Sequence, residues 1–189
     1  MTTLIEKIQA NLGYAPLHKI DPNSQETIEK KEIPTEDKLP QAAIPAVLTA
    51  IYKFTKTEEG CKAILSSAPA SDWLDVIYEG NESGAVDKVS QYAGVSADEA
   101  ERNMENIADE AVRLIKEQAG ENGKPDKVKT FIKDQRHSIL VHLPAAMQLG
   151  DLLNDEALDD RTNKMEGPIS NLIHKIEDKF SGGGESKYP

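Results

Sequence analysis

The sequence predicts an all-α protein, a compact multi-helix bundle with a short amphipathic helix tethered at its N-terminus, and three observations carry that prediction. Apolar residues recur at steps of three and four along most of the chain, the spacing that gathers them on one helix face. No stretch alternates apolar and polar residues in the manner of a half-buried strand. Ser, Thr and Gly punctuate the periodic runs where helix caps belong.

Leu4, Ile5, Ile8 and Leu12 share a face and Gly13 follows as a stop, so residues 1–20 read as the amphipathic terminal unit. Residues 21–41 contain Pro22, Pro34, Pro40 and the charged run Glu29-Lys30-Lys31-Glu32. A residue before proline is pushed out of the α region, and this stretch has little to bury, so it is expected to be an extended or disordered linker. A helical domain is expected over 42–180. Ile44, Val47, Leu48, Ile51 and Tyr52 open it on one face. Thr57 is placed as an N-cap before Cys61, Ile64 and Leu65. Ser71 is placed as another, before Trp73, Leu74 and Ile77, with Gly80 closing that segment.

Val86, Val89 and Tyr92 make a further helix that Gly94 ends, and Ser96-Ala97-Asp98-Glu99 has the spacing of a capping box. The helix after it carries Ala100, Met104, Ile107, Ala111 and Leu114, a heptad seam. With about two heptads present, packing inside one bundle is favoured over joining two chains. A turn over 120–125 leads to a helix from Asp126, with Val128, Phe131, Ile132, Ile139, Leu140 and Leu143 inward. Pro144 should break it, and residues 145–153 should continue helically. An acidic loop follows, then Pro168 at the start of a last amphipathic helix bearing Ile169, Leu172, Ile173, Ile176 and Phe180; residues 181–189 read as a flexible tail.

The formal charge is −11, from 33 acidic and 22 basic residues, which disfavours phosphate backbones and anionic lipid as partners. The weakly polar run from Ala42 to Tyr52 is too short for a membrane span and contains Pro45, and charges interrupt the N-terminus where an export signal would need an apolar core. A cytoplasmic location is the expectation. The single cysteine, Cys61, allows no intrachain disulfide framework.

Catalytic and cofactor chemistry finds little support. Metal chelation from one helix needs ligands three or four residues apart. His137 and His142 are five apart, roughly 140° around a helix. Asp134 and His137 do share a face, so Asp134, His137 and His142 form the alternative metal or catalytic set, with carboxylates from elsewhere. Residues 151–160 are acidic but match no calcium-loop register. Cys61 lies on an apolar face without a histidine partner, and Gly182-Gly183-Gly184 lacks the lysine and hydroxyl of a phosphate loop. No catalytic residue and no cofactor is assigned.

Ser90-Gln91-Tyr92-Ala93-Gly94-Val95-Ser96 has the look of a helix-turn-helix corner. The helix beyond it holds eight acidic and three basic residues between Ser96 and Glu121, the wrong sign for a DNA groove. The basic stretch Lys124, Lys127, Lys129, Lys133 and Arg136 reads as a mixed face with Asp126 and Asp134, and is where a nucleic acid would have to sit. A short helix, Tyr92-Ala93-Gly94-Val95-Ser96-Ala97-Asp98-Glu99-Ala100, a long helix, and later Leu143-Pro144-Ala145-Ala146-Met147 together resemble the YidB-like bacterial proteins over residues 84–153. That resemblance implies an all-helical, homeodomain-like fold and transfers no function and no site residues.

The expected function is therefore a non-catalytic helical protein engaged in protein–protein interaction or self-association. The expected partner surface is the apolar stripe of the first helix (Leu4, Ile5, Ile8, Leu12) together with that of the last (Ile169, Leu172, Ile173, Ile176, Phe180).

Overall fold

The computed structural model describes residues 2–21, 32–66, 72–120, 122–147 and 149. Among these lie seven α-helices: α1 (Leu4–Leu12), α2 (Thr35–Phe54), α3 (Glu58–Ser66), α4 (Trp73–Tyr78), α5 (Glu82–Ala93), α6 (Ala97–Ala119) and α7 (Pro125–Leu140). A single 3₁₀ turn follows at Ala145–Met147. No strand occurs among the described residues; the one β-type pairing is Ile20 N–H donating to the Val141 carbonyl at 2.8 Å.

The centre of the molecule is α2. Every residue from Pro40 to Ile51 is buried, and the helix packs on α4, α5, α6 and α7. A helix apolar on all sides has no solvent face to present, so the others must surround it. This corrects the last part of the expected linker over 21–41, of which residues 22–31 lie outside the described residues: the helix starts at Thr35 and runs through both Pro40 and Pro45. A proline inside a helix costs about 3 kcal/mol through its missing N–H and its ring clash. Burying Ile44, Val47, Leu48 and Ile51 at roughly 1.5–3 kcal/mol each outweighs that. Glu36 and Asp37 in the first turn add a favourable charge at the positive end of the helix.

The capping chemistry follows the sequence with small shifts. Thr57 Oγ1 accepts from Gly60 N–H at 3.0 Å, and a Cβ on Gly60 would run into the Phe54 carbonyl, so only glycine fits that corner. Asp72 rather than Ser71 caps α4, accepting from Asp75 N–H at 3.2 Å. That helix closes one residue earlier than Gly80, on Glu79 in the left-handed region at φ 54°. Ser96 caps α6 through Glu99 N–H at 3.2 Å. The complete capping box belongs to α1, where the Thr3 hydroxyl accepts from Glu6 N–H and Glu6 Oε2 accepts from Thr3 N–H at 2.6 Å.

The heptad seam of α6 faces inward: Ala100, Met104, Ile107, Ala111 and Leu114 are all buried in the common core. From α7, Val128, Ile132 and Ile139 join it, as does Leu143 just beyond the helix, with Phe131 and Leu140 half-buried. Helix α7 stops at Leu140, before Pro144 is reached. Of the expected helical continuation over 145–153, the described residues show the 3₁₀ turn and Leu149 in α-helical conformation.

Candidate functional site

The surface expected to take a partner is largely inside the molecule. Leu4, Ile5 and Ile8 are at most 2 % exposed, seated on α6 and α7, and Leu12 is half-buried. Polar contacts hold this docking: Gln135 Oε1 accepts from Leu4 N–H at 3.0 Å, and Asn11 Nδ2 donates to Glu110 Oε1 at 2.6 Å. Farther along, Gln41 donates to the His18 and His142 carbonyls at 3.0 and 2.8 Å and accepts from His18 N–H at 2.8 Å. The terminal unit is thus part of the body. Its stripe fails as a partner surface because the same apolar contacts are satisfied within the chain. Ile169, Leu172, Ile173, Ile176 and Phe180 lie outside the described residues, as does the acidic run 151–160.

The alternative metal set is not assembled. Asp134 and His137 are exposed on α7, whereas His142 lies half-buried in the turn beyond it, its Nδ1 against the Ser138 carbonyl at 2.7 Å. Burial pushes the His142 imidazole below its ordinary pKa. Among the described residues no three His, Cys, Asp or Glu side chains stand where they could share a metal ion. Cys61 is fully buried; its Sγ lies 3.2 Å from the Thr55 carbonyl, and burial raises its thiol pKa, the opposite of what a nucleophile needs.

The helix-turn-helix corner exists as a turn, with Gly94 in the left-handed region between α5 and α6. The outer face at the start of α6 presents Asp98, Glu99, Glu101 and Glu105. Burial first, then repulsion from neighbours including Glu101 and Asp72, pushes the Glu105 carboxyl above its usual range; Asp109 is raised in the same way by burial and by Asp72. A nucleic acid approaching that helix meets carboxylates.

Cations do gather, but at the C-terminal end of the core helix. Around Tyr52, near the end of α2, Lys56 Nζ sits 5.3 Å from the ring centroid and the Arg136 guanidinium carbon 5.8 Å. Both are within cation–π range. A shallow pocket of about 60 Å³ is lined by Tyr52, Thr55, Lys56, Lys129 and Lys133. A second, closed crevice shares Tyr52 and is lined by Thr49, Arg136, Ile139 and Leu140, with no room even for a water-sized group, so only the outer surface of Leu140 and Tyr52 is open to contact. The Glu58 carboxylate at the start of α3 is engaged by Lys62 at 2.6 Å, and that contact first, then the charge of Lys129, lowers its pKa. The result is a local basic stretch with an apolar end on a strongly acidic protein.

Reading along the chain located Lys129, Lys133 and Arg136 but missed Tyr52 and Lys56. Their spacing of four residues at the end of the apolar run was the available signal, and only the packing of α2 on α7 brings the two sets together. No helix among the described residues is long and apolar enough to cross a membrane. No family model, no curated protein and no solved structure matches the chain.

Proposed function

We propose that this is a non-catalytic helical binding protein, working through contacts with another protein and using the Tyr52 groove in place of its terminal helix. One observation carries the reading: cations from α7 and from the turn after α2 converge on a surface aromatic of a chain whose formal charge is −11. Like charges set side by side repel one another, and an Arg- and Tyr-bearing recess is the composition favoured at contact surfaces. Among the described residues Cys61 is buried and the histidines join no group that could hold a metal ion. The resemblance of residues 84–153 to the YidB-like proteins is carried forward as a proposal of kinship; it concerns the α5–α6 corner and the exit from α7, and adds no activity.

The test is photo-crosslinking in the native cell. A photo-reactive phenylalanine analogue is placed at His137, one turn beyond Lys133 and outside the groove lining, and in a second version at Asp87 on α5, both exposed. The reading expects a discrete crosslinked protein from position 137 and none from position 87. A chain that crosslinks to no protein from position 137 overturns it.

A further inference from the structure

Lys129, Lys133, Arg136 and Leu140 follow one another on α7 at steps of four, three and four, so they form one stripe on that helix. Tyr52 lies alongside it and is shared by both recesses, the basic one lined by Lys56, Lys129 and Lys133 and the mainly apolar one by Ile139 and Leu140. We infer that this groove receives a short extended segment of a partner protein, with carboxylates toward the lysines and one apolar side chain toward Leu140 and Tyr52. The inference rests on the binding role proposed above and names the chemistry of its partner.

Three considerations select that occupant. The stripe from Lys129 to Leu140 is roughly 16 Å long at 1.5 Å per residue, which an extended chain spans with about five residues. Four cations held within that length complement several carboxylates, and Arg136 is suited to a two-oxygen contact with one of them. The screening length in physiological salt is about 8 Å, so a short ligand senses the local cations more than the distant acids of α6.

A duplex nucleic acid fits less well, since its backbone continues past the groove and its binding grows with the number of phosphates neutralised. A free phosphate would leave the Leu140 end uncovered. The cation–π contacts of Lys56 and Arg136 with Tyr52 restrain two of the cations before any ligand arrives, which lowers the ordering cost of binding.

Fluorescence anisotropy on the full chain tests this, with a labelled peptide of about ten residues, rich in glutamate and bearing one leucine, as the probe. Saturable binding at ~50 mM salt that weakens at ~300 mM is expected. The exposed pair Lys129→Ala/Lys133→Ala should weaken it about five- to tenfold with the melting temperature unchanged, while Arg102→Ala on α6 leaves it unaltered. Leu140→Ser should weaken the leucine peptide and spare a leucine-free one. Absence of saturable binding, equal affinity for a peptide with glutamine in place of glutamate, or tighter binding of a DNA duplex of matched charge each overturns the inference. A crosslink from position 137 alongside a failed peptide titration removes only the acidic-segment chemistry. Loss of both removes the binding role as well.

Discussion

His142 shows how one residue's environment sets a measurable property. Its ring is half-buried, and burial lowers its pKa despite the opposing contact with the Ser138 carbonyl. The unfolded chain then binds more protons than the folded one between the lowered value and the ordinary value of about 6.5. Stability from this group is fully present above the unfolded value and is lost as pH falls through the folded one. Denaturant titrations from pH 7.5 down to about pH 5.5 should show a falling unfolding free energy, and His142→Asn should flatten that slope. An equal slope in the variant would assign it to other groups. At this scale the sequence was informative about type and silent about partner: His142 reads as a histidine near a proline, and nothing local says that Gln41 will hold its carbonyl.

Elements were legible where local signals and burial agree. Helix α6 has its serine cap and its inward seam, and α5 ends on the expected glycine. Helix α2 was misread at its start because Pro34 and Pro40 are local signals, whereas the helix is held by burial on every side. The join between α2, the segment after α1 and the exit of α7 is a single side chain, Gln41, which is 1 % exposed and makes three hydrogen bonds to backbone groups of His18 and His142. Gln41→Ala leaves those buried groups without partners. Each orphan costs about 1–3 kcal/mol, so a loss of roughly 3 kcal/mol or more in chemical denaturation is expected. A cost under about 1 kcal/mol would show that water replaces the amide.

For the whole molecule, the decisive fact is that α1 belongs to the core. Removing residues 1–20 strips Leu4, Ile5 and Ile8 from their seats on α6 and α7 and takes away the contacts of His18 and Ile20. Burial of each such side chain is worth roughly 1.5–3 kcal/mol, against a total stability of typically 5–15 kcal/mol. The truncated chain should melt well over 10 °C below the full one, measured by circular dichroism. An unchanged melting temperature would mean that the helix is not a structural part of the bundle.

The residues alone established the helical class, the placement of most described helices, and the inward faces of α5, α6 and α7, because each depends on spacing within a dozen residues. The groove at Tyr52 was out of reach of that reasoning. Its lysines and arginine on α7 are separated by more than seventy residues from Tyr52 near the end of α2 and Lys56 just beyond it, and read as a mixed face until the helices pack. The docking of α1 was undecided for the same reason: an apolar stripe demands a cover, but periodicity carries no record of which surface provides it. Packing decided both, since the side chains that bury α2 also determine which helix ends and which charges meet.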